Sequence, residues 1–188
     1  MARQRNRALD LYGAFLIFGF ACWSMHGRAT QAADGGADVQ AALQKVPATG
    51  GICVVLGADR PEFVAELAAG SKLIVYFQSH AADQVAAVRQ SARAVGLLGT
   101  RVFVDQGDLG SIHLADNLAD AVLVSESAKT QVTRDEVLRV LHPEGKAVLG
   151  GEEIVKPAAE GTDAWSHLYH GPDNNTQSED QLARAPYL

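Results

Sequence analysis

The fold is decided by the stretch Glu136-Val-Leu-Arg-Val-Leu-His-Pro-Glu-Gly-Lys-Ala-Val-Leu149. Four apolar residues in its first half share one helical face: Val137, Leu138, Val140 and Leu141. Because Glu136 and Arg139 fall on the opposite face, this half predicts an amphipathic helix. Pro143 cannot extend that helix, and Gly145 allows the chain to reverse into an apolar strand over 146–149. The stretch therefore predicts one helix–turn–strand step of a layered α/β structure.

Upstream of this stretch, apolar strands and amphipathic helices alternate along the chain. The predicted strands lie at 52–56, 72–77, 101–104, 121–124 and 147–149. Helices are predicted at 61–69 and 82–98, and Thr133 with Glu136 forms a capping box for the helix before the last strand. Since such alternation produces right-handed crossovers, the expected fold class is α/β, with a parallel, Rossmann-like sheet of about five strands and helices on both faces.

Composition narrows the class of protein. The chain has 188 residues, of which 47% are hydrophobic, and this is enough for one ordinary domain core. A formal net charge of -6 leaves no basic stripe to neutralise phosphates, so we expect no nucleic-acid partner. Cys22 and Cys53 form neither a disulfide framework nor a Cys-x-x-Cys motif. We expect no resident metal, although the spacing of His167, His170 and Asp173 leaves a metal site open as an alternative.

The N-terminal residues predict export. Arg3, Arg5 and Arg7 precede an apolar run at 12–25, and small residues follow at 29–33. Because a permanent membrane span needs roughly 20 apolar residues, we expect a cleaved signal peptide at 1–33 and a periplasmic or extracellular domain without stable membrane embedding. An uncleaved membrane anchor is the alternative. A linker with a short helix is expected at 34–49, the α/β domain at 50–155 and an irregular tail at 156–188.

The ends of the predicted strands carry a set of motif residues: Gly57 and Ala58 after the first, Gln78 after the second, Asp108 and Leu109 after the third, and Ser125 after the fourth. Their order resembles the cofactor site of the class I S-adenosylmethionine-dependent methyltransferases. The resemblance implies that the loop at Gly57 and Ala58 approaches the cofactor's carboxypropyl and ribose groups. It also implies that Gln78 stands at the ribose hydroxyls, that Asp108 and Leu109 hold the adenine, and that Ser125 lies near the methyl acceptor.

Three positions depart from the family's pattern. Asp59 and Pro61 stand where the family has further glycines, and an acidic side chain there would repel the cofactor's carboxylate. Gln78 replaces a carboxylate that would hold both ribose hydroxyls, and it offers only a neutral amide. Exported compartments also hold no known supply of S-adenosylmethionine. These features predict a degenerate domain with weak or absent catalysis that serves as a structural or interaction module.

An active small-molecule methyltransferase is the alternative. In that case Gly57, Gln78, Asp108 and Leu109 hold S-adenosylmethionine. Glu126 is then the candidate base, because it is the one residue after the fourth strand that can accept a proton; otherwise it is a solvated loop carboxylate. A nicotinamide dehydrogenase is disfavoured, because the first turn lacks the full Gly-x-Gly-x-x-Gly pattern.

The tail holds a cluster at 162–175 that is rich in Trp, His, Tyr and Asn. This cluster resembles the segment that leads into the β-propeller of secreted pyrroloquinoline-quinone-like proteins, some of which carry a degenerate methyltransferase-like domain before the propeller. The resemblance implies a C-terminal β-propeller partner beyond Leu188 and a chain that is a fragment of a longer protein. Without that partner, we expect the tail to be poorly ordered.

Overall fold

A computed structural model of the chain describes residues 38–46, 50–163, 167–170, 172–173 and 175–182. The signal peptide expected at 1–33 lies outside these residues. In the part of the chain that the structure describes, no helix is long and apolar enough to cross a membrane.

Six strands form one sheet: β1 (Gly51–Leu56), β2 (Leu73–Ser79), β3 (Val102–Gln106), β4 (Ala119–Val124), β5 (Leu141–Leu149) and β6 (Glu152–Val155). Their order is β3-β2-β1-β4-β5-β6. The first five strands pair in parallel, and β6 pairs antiparallel with β5. This is the doubly wound order, in which the direction of winding reverses between β1 and β4. The expected α/β fold class is confirmed.

Four helices cover the sheet in the described part of the chain: α1 (residues 38–45), α2 (Glu62–Ala69), α3 (Ala82–Ala94) and α4 (Arg134–Val140). Buried side chains of α1, α2 and α3 share one core on the first face of the sheet. Buried residues of α4 share a second core on the opposite face. Strand β1 serves both cores, since Cys53 and Val55 join the first while Val54 and Leu56 join the second. The buried run in β1 is typical of a central parallel strand.

The turn inside the stretch 136–149 differs from the expected one. Helix α4 ends at Val140, and β5 starts at once, because Leu141 pairs with Ala119 before the register shifts and Lys146 pairs with Ala121. Glu144, and not Gly145, takes the left-handed conformation, with a φ of 68°. Gly145 is required for space instead, since a Cβ there would lie 2.9 Å from the His142 carbonyl oxygen.

The predicted capping box at α4 is half confirmed. Thr133 accepts a hydrogen bond from the Glu136 backbone N–H at 3.3 Å. The Glu136 side chain, expected on the outer face, is 14% exposed. Its carboxylate accepts the Ile112 N–H at 2.7 Å and two bonds from the Arg139 guanidinium at 2.9 and 2.7 Å. These bonds, Arg139 first, hold the pKa of Glu136 below its ordinary value.

The connection between β3 and β4, residues 107–118, contains no helix. It is held to the sheet by side chains from other elements. The Arg139 guanidinium donates to the carbonyl oxygens of Ile112 at 2.8 Å and Leu114 at 2.9 Å, and to the Asp116 carboxylate at 2.6 Å. One arginine therefore fixes this long connection from the α4 side.

Several element boundaries move relative to the sequence predictions. The helix expected at 82–98 ends at Ala94, because Gly96 and Gly99 both take left-handed φ values of 71° and 76°. In the turn that they form, Leu98 and Val102 make an isolated β-bridge. Strand β3 starts at Val102, one residue later than expected. Strand β4 begins at residue 119 instead of 121. The elements themselves keep their predicted order.

A sixth strand adds to the five that were expected. Gly150 and Gly151 have φ values of 57° and 84°, the positive values that a tight two-residue hairpin requires. The hairpin returns the chain alongside β5, with Leu149 paired to Glu152. Since β6 lies within 50–155, it extends the expected domain without moving its end.

The described part of the tail holds neither helix nor strand beyond an isolated bridge between His167 and His170. Its centre is Asp163. This carboxylate accepts the Glu179 N–H at 2.8 Å and the Ser178 hydroxyl at 3.1 Å, and it pairs with His170. These bonds, the Glu179 N–H first, lower the pKa of Asp163. The tail is irregular, as predicted, yet hydrogen-bonded around one carboxylate.

Candidate functional site

A cavity of about 310 Å³ lies at the carboxyl ends of β1 and β4. Its apolar lining comes from α1, the loop after β1, α2 and the strands: Ala42, Val55, Ala58, Phe63, Leu123 and Val148. Four charged residues line it as well: Asp38, Lys45, Asp59 and Arg60. Open α/β sheets bind their ligands at the strand ends where the winding reverses, and this cavity occupies that place.

Three of the sequence-predicted residues, Gly57, Ala58 and Ser125, line this cavity together. Gly57 has a φ of 65°, and its N–H donates to the Gln78 carbonyl oxygen at 3.0 Å. A Cβ on Gly57 would lie 2.7 Å from the Ser125 hydroxyl and 2.9 Å from the Ala128 Cβ. The space that the missing side chain leaves is therefore filled by the protein's own turn after β4.

Gln78 lies at the end of β2, as predicted, but its side chain is completely buried. Its Nε2 donates to the carbonyl oxygens of Asp108 at 2.6 Å and Ser111 at 2.9 Å. Its Oε1 accepts the His113 backbone N–H at 3.0 Å and lies 3.2 Å from the Tyr76 hydroxyl. The amide thus connects β2 to the β3–β4 connection and has both donors in use.

Asp108 and Leu109 follow β3, as predicted, but neither lines the cavity. The Asp108 carboxylate folds back and accepts the Gly110 N–H at 2.6 Å. Leu109 is 1% exposed and packs in the second core. Leu109 is therefore a core residue here, and Asp108 stabilises its own turn.

Glu126, the candidate base, lies exposed in the turn after β4. Its side chain is 64% exposed, and its carboxylate pairs with the Lys129 ammonium on the same turn. Its backbone N–H donates to the Asp59 carboxylate at 3.2 Å. These contacts fit the alternative that the sequence left open, a solvated loop carboxylate.

No sequence motif predicts one polar cluster that lies at the strand ends. The Asp105 carboxylate lies 2.8 Å from the His113 Nδ1 and 3.2 Å from the Tyr76 hydroxyl. The bond from His113 is the main reason that the pKa of Asp105 is lowered. Burial, followed by the nearby Asp105 charge, raises the pKa of Tyr76. Because His113 is also tied to Gln78 through its backbone, the cluster fastens the β3–β4 connection to the sheet.

The tail's metal alternative gains no support. Among the described residues, no group of three or more His, Cys, Asp or Glu side chains could hold a metal ion. His170 pairs with Asp163 instead.

The residues at the strand ends do not offer S-adenosylmethionine the groups that the resemblance assigns to it. The amide at the ribose position is committed within the protein, Leu109 is buried in the core, and one oxygen of the Asp108 carboxylate accepts a bond from its own turn. Asp59 lines the cavity with a carboxylate where the cofactor would bring its own. No chemical step through this cofactor follows from the arrangement.

Solved structures with a similar fold include enzymes of more than one reaction type. A proposed S-adenosyl-L-methionine-dependent methyltransferase of Methanococcus maripaludis aligns with a TM-score of 0.56 and 19% identity, over 66% of this chain and 58% of that one. The [4+2]-cyclase SpnF aligns with a TM-score of 0.55 and 23% identity, over 69% and 54%. Geranyl diphosphate methyltransferase, in complex with S-adenosylmethionine, aligns with a TM-score of 0.54 and 18% identity, over 60% and 47%.

Sequence comparisons give no further relative. No protein-family model matches the chain, and comparison with curated proteins gives no match. The chain spans about half the length of the structures it resembles. At these identities the likeness concerns the fold, and a cyclase among the neighbours illustrates that one fold supports different reactions. The chain therefore has the Rossmann-like fold found in S-adenosylmethionine-dependent methyltransferases.

Proposed function

We propose that this chain is a methyltransferase-like domain without S-adenosylmethionine-dependent catalysis, serving as a structural or interaction module. Gln78 carries the proposal. Its buried amide satisfies the carbonyl oxygens of Asp108 and Ser111 and the N–H of His113. A ribose hydroxyl could take the amide only by leaving such a group without its partner, and each one costs about 1–3 kcal/mol if it stays buried.

Two further features support the loss of the cofactor. Ser125 and Ala128 occupy the space beside Gly57 that a side chain there would take, so this space is not left open for a ligand. Asp59 adds a carboxylate to the cavity lining, which repels the cofactor's carboxylate, and the cofactor's own ammonium group offsets only part of that repulsion.

Calorimetry tests this part of the proposal. The full chain is titrated with S-adenosylmethionine and with S-adenosylhomocysteine, and a methyltransferase of known affinity checks the quality of both compounds. We expect no saturable heat at micromolar concentrations. Micromolar binding of either compound would overturn the proposal and would favour the active methyltransferase.

Export is a second part of the proposal, supported by the arginines at 3, 5 and 7 and the apolar run at 12–25. The measurement is N-terminal sequencing of the protein recovered from a producing cell's exported fraction. A new N-terminus near residue 33 is the expected result, and an intact Met1 in the cytosolic fraction contradicts it.

Association with a β-propeller is the third part, supported by the resemblance of residues 162–175 to a propeller lead-in. The check is the sequence of the gene beyond the codon for Leu188. Blade-sized repeats in the same reading frame are expected. A stop codon directly after Leu188, with no propeller protein co-purifying, would count against it.

A further inference from the structure

We infer that the cavity at the carboxyl ends of β1 and β4 binds a small organic ammonium ion with an apolar body. This inference goes beyond the proposed function, because it gives a ligand class to a cavity that the proposed module role leaves without one. It depends on the size of the cavity, on its apolar lining and on the balance of charges around it.

The cavity suits a small ligand. Its volume of about 310 Å³ is at the lower end of the range for small-molecule sites. At the ~30 Å³ that a water-sized group occupies in a liquid, it holds about ten non-hydrogen atoms. Val55, Leu123 and Val148, contributed by three neighbouring strands, line it with apolar surface for the body of such a ligand.

The charged residues at the cavity favour a cationic head group. Arg60 lies 2.8 Å from the Glu66 carboxylate and 3.9 Å from Asp38, and Lys45 lies 3.8 Å from Glu153. No lysine or arginine of the described residues forms an ion pair with Asp59.

Asp59, an exposed residue at the cavity, is therefore the lining carboxylate without a lysine or arginine partner among the described residues. The polar contact that the structure gives it is the Glu126 backbone N–H at 3.2 Å, a long bond to one oxygen. An ammonium ion would supply the missing opposite charge through a charge-assisted hydrogen bond. An anion would have to compete with Glu66 for the Arg60 guanidinium.

An aromatic ring completes the site. Phe63, in the first turns of α2, lines the same cavity as Asp59. A cation within about 6 Å of an aromatic face is attracted by the ring's electron distribution. Carboxylate, aromatic ring and apolar lining together form a set of groups that recognises an alkyl or benzyl ammonium ion.

Three probes of nearly equal size test the inference: benzylamine, which is protonated at pH 7, benzyl alcohol and benzoate. Binding to the full chain is followed by ligand-observed NMR and by calorimetry. We expect benzylammonium to bind with a Kd in the millimolar range, benzyl alcohol more weakly and benzoate most weakly. Equal or tighter binding of benzoate, or no saturable binding of any probe, would overturn the inference.

Variants test whether the order of the probe affinities depends on Asp59 and Phe63. Asp59→Asn should weaken benzylammonium binding about tenfold and leave benzyl alcohol unchanged, because it removes the charge and keeps the shape. Phe63→Leu should reduce the advantage of benzylammonium over benzyl alcohol, since it keeps apolar bulk and removes the ring. Asp135→Asn makes the same charge change on α4, away from the cavity, and should alter neither. If Asp59→Asn and Asp135→Asn behave alike, the attraction is only that of an acidic protein, and the inference is wrong.

Discussion

Replacing Gln78 by methionine should destabilise the domain far more than a surface substitution of the same kind. Methionine keeps the length and volume of the side chain and removes its polar atoms. The change deletes two donated bonds, at 2.6 and 2.9 Å, and one accepted bond, at 3.0 Å. It also takes a partner from the Tyr76 hydroxyl, which keeps Asp105 as an acceptor at 3.2 Å.

The size of the effect follows from these groups. A net hydrogen bond contributes about 1 kcal/mol, and a buried group left without a partner costs about 1–3 kcal/mol. Asp108 and Ser111 lie on an exposed connection, so water can reach their carbonyl oxygens in part. We therefore expect Gln78→Met to lower the free energy of unfolding by about 2–4 kcal/mol, or the Tm by roughly 4–16 °C for a domain of this size.

The assay is urea unfolding followed by circular dichroism, with amide hydrogen exchange over residues 107–113. Gln90→Met, at an exposed position of α3, is the matched control and should change stability by less than about 0.5 kcal/mol. Exchange over 107–113 should accelerate in the Gln78 variant alone. A loss below about 1 kcal/mol, or unchanged exchange, would refute the role given to this amide.

Gly57→Ala should lower the free energy of unfolding by more than the roughly 1–2 kcal/mol that a left-handed alanine costs, because its Cβ would also meet atoms at 2.7 and 2.9 Å. Gly96→Ala is the control in the same urea assay. Since nothing lies within 4 Å of its Cβ, it should show the backbone cost alone. Arg139 holds the pKa of Glu136 below its ordinary 4.5. The stabilisation that this ion pair gives the fold is therefore fully present above pH 4.5, and it is lost as the pH falls through the lowered pKa. Urea midpoints of wild type and Glu136→Gln should therefore converge in acid, and a constant difference across pH would contradict this. Asp163→Asn should speed amide exchange at 175–182 by weakening the bonds that this carboxylate accepts, and unchanged exchange there would show that the tail is ordered by other contacts.

The alternation of strands and helices could be predicted because it depends on local pattern. The buried run at 53–56 identifies a central strand without any knowledge of its neighbours in the sheet. Thr133 identifies the start of α4 because it bonds to a residue only three positions away. The hairpin to β6 could also have been found, since two adjacent glycines between apolar runs are a strong hairpin signal. The helix ends at Ala94 and not at the predicted residue 98, because Gly96 and Gly99 end it although apolar residues continue past Ala94.

The use of Gln78 could not be predicted, because it depends on residues far along the chain. Its partners Asp108, Ser111 and His113 stand 30, 33 and 35 positions away, and no periodicity relates them. The motif placed Gln78 correctly at a strand end, but it could not tell whether the amide faces a ligand or the protein.

The charged lining of the cavity could not be predicted for the same reason, because it depends on residues that are distant in the sequence. Asp38 and Lys45 belong to a short helix whose position over β1 and β4 is set by tertiary contacts through Val39, Ala42 and Val46. Nothing in their own sequence distinguishes them from ordinary surface charges on an amphipathic helix. The motif identifies Asp59, but the absence of a basic partner for it among the described residues depends on the ion pairs that Arg60 and Lys45 form with other carboxylates.

The antiparallel return of β6 decides at which end of the sheet the tail begins. After β6 the backbone of Lys156 bonds to Gly145 and its ammonium to the Leu141 carbonyl, beside the residues where β5 begins. The chain therefore leaves the sheet at the end where β5 begins, and the cavity lies at the opposite end, where β1 and β4 finish. The tail therefore begins at the end of the sheet opposite the cavity, and its first residue, Lys156, bonds to residues of β5 and not to the cavity lining.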